Sequence, residues 1–381
     1  MKLEVQKYLE QYGLEKLKSE YHITVSDYED RVVLNYNQIE SPKFNPICDE
    51  CRALILKKGT WEVLAQSFVR FYNVGEGELY KTFPIKTAVI SEKLDGSLIS
   101  VYFFNSWTVS TRKMAFAEGS TLWGKTFRQI FDEGAAKTNL WKYLENADKD
   151  TTYVFELTSP ENRVVHPYSE TSITLIAARS RITGQEYKGV ELDQIAKYMN
   201  CNRPKSYHFN SLEEAIQTAK SLNVMDEGFV LVDECQGSFS RMKCKNENFV
   251  AIAHMRENGG VPSPKNILKL TLNGEKEEYL SYFAEDKHYF DFVEEILNES
   301  LARIQTIADK CMSIESQKDF ALTIKGECKL DFEAGVLFEM RKVKKTLPDI
   351  VKGLDAKKLV KSLKVKEKMC AKFGVKIEED V

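Results

Sequence analysis

The chain lacks the features of a membrane or secreted protein. No apolar run in its 381 residues approaches the roughly 20 residues that a membrane-spanning helix needs. The beginning of the chain, Met1-Lys2-Leu3-Glu4, contains no apolar core of a signal peptide. We therefore expect a cytoplasmic protein with no membrane partner.

An overall basic charge and a cysteine framework are also missing. The 54 Lys and Arg residues are outnumbered by 57 Asp and Glu residues, which gives a formal net charge of −3. A nucleic-acid contact would therefore need a local basic patch. The 8 cysteines are scattered, and the C-x-x-C formed by Cys48 and Cys51 has no second pair to complete a zinc site. This pattern favours reduced thiols.

What is present changes in character along the chain. Up to about residue 255, short apolar strands are separated by turn residues, and beyond it the apolar spacing is helical. We predict an α+β fold in which residues 1–255 form antiparallel sheets around a cleft and residues 256–381 form an all-α domain. Locally, Gly13 is expected to interrupt the first helix, and Ser211 to cap a later one.

The stretch from Val89 to Val101 places a lysine at the end of an apolar strand. Lys93 is followed at once by the turn Asp95-Gly96-Ser97, in which Gly96 allows a backbone conformation that a side chain would hinder. A lysine amine becomes a nucleophile when burial or nearby cations favour its neutral form. We predict that Lys93 attacks phosphorus and carries a nucleotide covalently. The alternative from these residues alone is a surface lysine before a hairpin turn.

Charged side chains repeatedly interrupt the apolar strands of the first domain. They are Arg52, Arg70, Lys93, Asp95, Glu156, Glu227, Lys243 and Lys245. Because burying an unpaired charge is costly, we expect these side chains to face one another across one cleft. The cations would clamp a triphosphate there, and the carboxylates would hold Mg²⁺ and ribose hydroxyls.

The end of the second domain is locally basic. Eleven lysine and arginine residues lie between positions 341 and 368. They form either a solvated helix face or a patch that contacts nucleic-acid phosphates. In the second case binding should weaken steeply with salt.

In order and spacing these segments resemble the motifs of the covalent nucleotidyltransferases, and most closely those of the RNA ligase 1 family of T-even phages. The resemblance covers about residues 30 to 255 and extends more weakly to residue 283. Residues 155–165 have the specific form F-E-x-x-x-P-x-N-R-x-V. The other motifs are Glu50-Cys51-Arg52, Arg70-Phe71-Tyr72-Asn73, Lys93-Leu94-Asp95-Gly96-Ser97, Glu227-Gly228-Phe229-Val230 and Lys243-Cys244-Lys245.

The resemblance implies a nucleotidyltransferase domain around an ATP cleft. Lys93 would attack the α-phosphorus of ATP and expel pyrophosphate, AMP would pass to an RNA 5′-phosphate, and the 3′-hydroxyl of a second end would displace AMP. Lys243 and Lys245 would neutralise the α-phosphate and help to keep Lys93 uncharged. Arg52 and Arg70 would hold the outgoing phosphates, although the family commonly has lysine at the second position.

Further residues match positions of the family. Glu156 and Glu227 would be essential carboxylates beside ribose and hydrated Mg²⁺ (or Mn²⁺). Glu277 falls near a metal-binding aspartate of the family, and a charged helix start is the alternative there. Nucleotide contacts would come from Tyr36, Arg52, Arg70, Glu92, Gly96, Val230, Lys243 and Lys245.

Three residues and one segment carry remaining expectations or departures. Asp95 would be a further essential residue, and Glu92 would either accept a hydrogen bond from the adenine amino group or face solvent. Phe249 stands where the family has a functional tyrosine, so a hydroxyl contact is lost. Related enzymes stack the purine on an aromatic residue, for which the segment from Ile173 to Arg179 offers no counterpart.

We therefore predict an ATP-dependent RNA ligase that joins 5′-phosphate and 3′-hydroxyl RNA ends in RNA repair, with tRNA as one candidate substrate. It would act as a monomer, in the host cytoplasm if a phage encodes it, and the helical domain would supply RNA specificity. One alternative is a DNA ligase or a GTP-dependent capping enzyme, which normally carries an OB-fold in place of helices. The other is a non-catalytic RNA-binding relative.

Overall fold

The computed structural model describes residues 2–119, 124–235, 239–256, 260–351, 353–375 and 377. The chain divides into two units, Met1–Ala251 and Ile252–Val381. The assignment of nucleotidyl transfer to residues 1–255 and of RNA specificity to residues 256–381 stays a prediction. None of the helices in these described ranges is long and apolar enough to cross a membrane.

The described residues of the first unit form three β-sheets. The strands are β1 Ile23–Asp27, β2 Arg31–Tyr36, β3 Arg52–Lys57, β4 Val63–Ala65, β5 Tyr72–Asn73, β6 Val89–Glu92, β7 Ser97–Phe104, β8 Ser106–Thr111, β9 Thr151–Thr158, β10 Ser172–Ser180, β11 Ser206–Tyr207, β12 Gly228–Asp233 and β13 Ser240–Lys245. Sheet one has the order β1-β2-β3-β4, sheet two β10-β9-β7-β8, and sheet three β11-β6-β12-β13-β5. The strand pairs described are antiparallel, except for the parallel pair of β13 with β5.

Helices connect and cover these sheets. They are α1 Glu4–Tyr21, α2 Pro46–Glu50, α3 Leu79–Thr82, α4 Phe127–Ala135, α5 Leu140–Leu144, α6 Gly189–Met199, α7 Leu212–Ser221 and α8 Glu247–Met255. Two local predictions are confirmed. Gly13 has a φ of 77° and interrupts α1, and the Ser211 hydroxyl accepts a hydrogen bond of 3.1 Å from the Glu214 N–H at the start of α7.

Two apolar clusters fix the sheets that flank the site. In sheet two, Phe155 and Leu175 pack with Phe131 of α4. In sheet three, Phe229 packs with Ala215 of α7. Each of these two sheets is therefore covered by helices on one face, which leaves the other face for a cleft.

The described residues of the second unit are helical, without a strand. Their helices after α8 are α9 Pro264–Asn273, α10 Lys276–Tyr282, α11 Lys287–Cys311, α12 Gln317–Glu327, α13 Asp331–Val343, α14 Leu347–Val351, α15 Ala356–Leu363 and α16 Val365–Phe373. The predicted fold class, antiparallel sheets followed by a helical region, is confirmed.

Candidate active site

The turn Asp95-Gly96-Ser97, which follows Lys93 and which we call the Lys93 turn, lies at the junction of two sheets. β6, which ends just before Lys93, pairs with β11 and β12, whereas β7, which begins at Ser97 in the turn, pairs with β8 and β9. The Lys93 N–H donates a hydrogen bond of 2.8 Å to the carbonyl oxygen of Gly228. The hairpin alternative is therefore wrong, because the flanking strands belong to different sheets. We call the space between these sheets, lined by Arg52, Lys93, Leu98, Glu156, Ile176 and Val230, the intersheet cleft.

Gly96 is required by a close approach of two chain segments. A Cβ atom built there would lie 2.4 Å from the carbonyl oxygen of Leu157. The Gly96 N–H donates a hydrogen bond of 3.1 Å to Oε1 of Glu156. Its φ lies outside the left-handed region, so the special backbone conformation that we expected is not the reason for glycine here.

Glu227 bridges two of the predicted lysines. Its Oε2 lies 2.6 Å from Nζ of Lys93, and its Oε1 lies 2.9 Å from Nζ of Lys245. Burial lowers the pKa of Lys93, but Glu227 and Glu156 outweigh that effect and hold the pKa above its usual value. The expectation that neighbouring cations keep Lys93 uncharged is therefore wrong for this arrangement, in which Lys93 is the charged partner of an ion pair.

Lys243 is the lysine whose neutral form is favoured. Burial and the nearby charge of Arg52 lower its pKa to about 7. Its Nζ lies 4.9 Å from the ring centroid of Phe71, and the Arg52 guanidinium lies 4.4 Å from that of Phe68. Arg52 Nη1 is buried without a hydrogen-bond partner among the described residues. Half-buried basic side chains with an unpaired donor are typical of a site that receives a polyanion.

Glu156 is a half-buried carboxylate that lines the intersheet cleft. Burial raises its pKa to about 7, with Lys93 opposing that shift and Glu227 adding to it. Glu156 in the cleft and Glu227 beside Lys93 supply the oxygen ligands that Mg²⁺ prefers, with water completing its coordination. Within the described part of the chain, no three His, Cys, Asp or Glu side chains are grouped to hold a metal alone.

Asp95 joins the Lys93 turn to the segment that follows Glu156 along the chain. Its Oδ2 accepts hydrogen bonds of 2.7 and 2.8 Å from the N–H groups of Val165 and His166. The Asp95 N–H donates a hydrogen bond of 3.2 Å to the Tyr168 hydroxyl. Asp95 therefore holds the turn in place through its hydrogen bonds, which is a physical reason for its predicted importance.

Apolar side chains form a slot in one part of the intersheet cleft. Ile176 and Val230 both line the intersheet cleft and belong to one apolar cluster with Leu98, Phe68 and Phe71. Val230 was predicted to contact the nucleotide, which stays a prediction, and Ile176 is a candidate for a second contact. The sequence offered no signal for Ile176, because an isoleucine in a strand is ordinary.

A cationic group around Tyr36 lies beside Arg52. The Arg70 guanidinium lies 4.1 Å from the ring centroid of Tyr36, and the Arg112 guanidinium lies 4.8 Å from it. Among the described residues, the cleft lining includes Arg52 but neither Tyr36 nor Arg70. Arg112 was missed in the sequence, because it follows a hairpin strand beside another basic residue and no motif marked it.

The remaining predicted residues lie outside the centre of the cleft. Glu92 Oε1 accepts a hydrogen bond of 2.8 Å from the Lys205 N–H, and an adenine contact there stays a prediction. Phe249 is a buried residue of α8. Glu277 is exposed in the first turn of α10, in the second unit, so its metal contact also stays a prediction.

Comparisons with known proteins point to one family. The family model described as RNA ligase matches residues 50–249. A candidate bifunctional polynucleotide kinase/RNA ligase of Autographa californica nuclear polyhedrosis virus is 30% identical over 366 residues, which cover 85% of this chain and 51% of the viral protein. An RNA ligase of Rhodothermus phage RM378 is 31% identical over 165 residues, 34% of this chain and 37% of the phage protein.

Solved structures show a weaker likeness. An archaeal ATP-dependent RNA ligase has a TM-score of 0.47 and 11% identity, over 92% of this chain and 81% of that chain. The chain spans about half the length of the viral relative and less than half that of the phage relative.

Proposed function

This chain belongs to the RNA ligase family, and we propose that it is an ATP-dependent RNA ligase that joins a 5′-phosphate end to a 3′-hydroxyl end. The observation that carries the proposal is the meeting of Lys93, Glu227 and Lys245 at the end of a cleft that also contains Arg52 and Glu156. A lysine fixed between two sheets beside a carboxylate can serve as a nucleophile once it loses its proton.

The first step would form a lysyl–AMP. Lys93 Nζ gives up a proton, for which Glu227 Oε2 is within hydrogen-bond reach at 2.6 Å. A bond then forms between Nζ and the α-phosphorus of ATP, and the bond from that phosphorus to the bridging oxygen breaks, releasing pyrophosphate. Lys243 and Lys245 would balance the negative charge that develops on the α-phosphate. Bound Mg²⁺ near Glu156 and Glu227 would supply further charge neutralisation.

The later steps would transfer AMP and seal the ends. An oxygen of the RNA 5′-phosphate attacks the α-phosphorus, and the bond to Nζ breaks. The 3′-hydroxyl of the second end then attacks the 5′-phosphorus, and AMP leaves. Arg52, with Arg70 and Arg112 beside Tyr36, would bind the outer phosphates of ATP, because guanidinium groups bind phosphate oxygens in pairs.

The base and sugar of ATP would lie in the apolar part of the cleft. Val230 and Ile176 would contact the two faces of adenine, Glu92 its amino group, and Glu156 the ribose. The second unit, with its basic end, would recognise the RNA. Action on tRNA, a monomeric state and a location in the cytoplasm, or in the host cytoplasm for a phage protein, stay predictions.

The test follows labelled AMP from protein to RNA. With α-labelled ATP and Mg²⁺, we expect an acid-stable labelled protein, and with 5′-phosphate RNA we expect an adenylylated RNA and then a sealed product. Lys93→Ala should abolish all of these when ATP is the donor. Lys276→Ala is a matched control, because Lys276 pairs with Glu294 at the same 2.6 Å in the second unit. Labelling of the Lys93→Ala protein would contradict the proposal.

Comparing labelling by ATP with labelling by GTP, and sealing of RNA with sealing of DNA, distinguishes an RNA ligase from a DNA ligase and from a GTP-dependent capping enzyme.

A further inference from the structure

A second cavity borders the Lys93 turn. It has a volume of about 260 Å³ and shares Glu92, Lys93 and Leu94 with the intersheet cleft. Tyr168 and His166 also line it, and we call it the Tyr168 cavity. A ligand in this cavity would lie beside the nucleophile without occupying the apolar slot assigned to the base.

The imidazole of His166 is oriented by two acceptors. Its Nδ1 lies 3.3 Å from the carbonyl oxygen of Met225 and 3.3 Å from Oδ1 of Asp226. Both atoms accept hydrogen bonds, so the proton of a neutral ring belongs on Nδ1. The lone pair then lies on Nε2, which is the arrangement of a histidine that accepts a proton from a substrate.

The same ring is fixed to the Lys93 turn. The backbone N–H of His166 donates to Asp95 Oδ2 at 2.8 Å, and the His166 ring packs against that of Tyr168 at a tilt of 44°, with 4.5 Å between centroids. The Tyr168 hydroxyl accepts the hydrogen bond from the Asp95 N–H. These contacts hold an imidazole next to the nucleophile turn.

The charges around the cavity distinguish the two kinds of RNA end. Its lining includes the carboxylates of Glu92, Asp95, Asp226 and Glu227, against the ammonium groups of Lys93 and Lys205. Each of these four carboxylates already accepts a hydrogen bond or forms an ion pair within the protein. A terminal phosphate dianion would be repelled here, whereas a hydroxyl end would not. The rings of Tyr168 and Tyr207 offer contacts to its sugar or base.

Resting on the proposed function, we propose that the Tyr168 cavity receives the 3′-hydroxyl end of the RNA and that His166 is the catalytic base of sealing. The proton of the 3′-hydroxyl passes to His166 Nε2 as the oxygen forms its bond to the 5′-phosphorus. The bond from that phosphorus to AMP breaks, and AMP leaves. Asp226 is a positioning residue that keeps the Nδ1 proton and the ring orientation.

The test isolates the sealing step. A pre-adenylylated RNA and a 3′-hydroxyl acceptor are incubated with the full chain and Mg²⁺, without ATP. We expect His166→Ala to lower kcat for sealing about 100-fold, the usual contribution of a general base, with a much smaller change in the KM of the acceptor. Added imidazole should restore part of the rate. Self-adenylylation of the same variant reports whether it is folded.

Matched variants and acceptors sharpen the test. His208 is an exposed histidine two residues beyond Ser206, and His208→Ala should seal as the unaltered chain does. Asp226→Asn should slow sealing by about 10-fold. An RNA ending in a 3′-phosphate should compete poorly with the acceptor, and strong competition would contradict the assignment of the cavity to a hydroxyl end.

Two outcomes separate this inference from the proposed function. If the unaltered chain neither forms lysyl–AMP nor seals pre-adenylylated RNA, the proposed function fails. If the unaltered chain seals but His166→Ala seals equally well, or is slow and gains nothing from imidazole, only the role of His166 as a base is overturned.

Discussion

Two buried glutamates, one in each unit, show how the same side chain can serve structure or chemistry. Glu333 is fully buried and accepts hydrogen bonds from Arg303, Ser300 and the N–H groups of Lys329 and Leu330. Its partners are a rigid guanidinium and fixed backbone groups at the start of α13. Such a carboxylate holds a helix in place.

Glu227 is almost as buried, with 7% of its surface exposed, but its partners are of a different kind. Its two oxygens contact the ammonium groups of Lys93 and Lys245, each at the end of a flexible side chain. The neighbouring Glu156 and Lys243 have pKa values shifted towards their neutral forms. The difference teaches that burial alone does not mark a functional carboxylate, whereas exchangeable cationic partners and uncompensated neighbours do.

The same glutamine substitution at each of the two carboxylates should give the largest difference between them. Glu227→Gln should lower self-adenylylation at least about 100-fold, because it removes the group beside the Lys93 amine. Glu333→Gln should instead lower the free energy of unfolding by about 3 kcal/mol, because it leaves buried donors without their charged acceptor. Labelling rates and urea unfolding curves of both variants measure the two effects. A folded Glu333→Gln protein that cannot be labelled would contradict the distinction.

Arg112 tests whether the cationic group around Tyr36 belongs to the ATP site. Arg112→Gln should raise the KM for ATP about 10-fold, which corresponds to the loss of one charged hydrogen bond. Arg128→Gln is the control, since Arg128 pairs with Asp132 on the exposed side of α4. Steady-state labelling at several ATP concentrations measures the KM of each variant. An unchanged KM in Arg112→Gln would show that Arg112 does not contribute to ATP binding.

The smallest effect concerns stability and pH. The pKa of Glu156 is raised to about 7 in the folded chain, so the folded state binds this proton more tightly than the unfolded state. Its contribution to stability is present below the unfolded pKa of about 4.3 and is lost as the pH rises through about 7. Glu156→Gln should therefore gain in Tm relative to the unaltered chain as the pH increases from 5 to 8, by about 2 to 4 °C.

The control for this measurement is the carboxylate of the second unit. Glu333→Gln should show no such trend between pH 5 and 8, because the pKa of Glu333 is held below its usual value, against the effect of burial, by Arg303 and its other donors. Its contribution to stability is fully present above the unfolded pKa of about 4.3 and is lost only as the pH falls below that value. Melting curves at both pH values test both variants. A Tm difference for Glu156→Gln that does not vary with pH would show that this carboxylate is not destabilised by its surroundings.

Much of the fold was accessible from the sequence because it rests on local patterns. Turn residues between short apolar runs indicated the antiparallel sheets. Gly13 indicated the interruption of the first helix, and Ser211 indicated the cap of a later one. The sheet to which each strand belongs was not accessible. The Lys93 turn looks like a hairpin in sequence, and only the pairing of β6 with β12 and of β7 with β9 separates its flanking strands.

The site was predicted where charge interrupts a strand and missed where the residue type is ordinary. Lys93, Glu227 and Lys245 stand out in apolar runs, and the structure brings them together. Ile176 and Arg112 do not stand out, because their roles depend on which residues face them across the fold. The charge of Lys93 was also misjudged, since sequence alone did not reveal that Glu227 Oε2 lies 2.6 Å from its Nζ.

The most direct measurement is the position of AMP on the protein. After incubation with ATP and Mg²⁺, intact-mass analysis followed by peptide mapping should find one AMP per chain, joined to Nζ of Lys93. Lys243, Lys245 and Lys276 should remain unmodified. An adduct on any of these three lysines, or no adduct under conditions in which the chain seals RNA from ATP, would contradict the account.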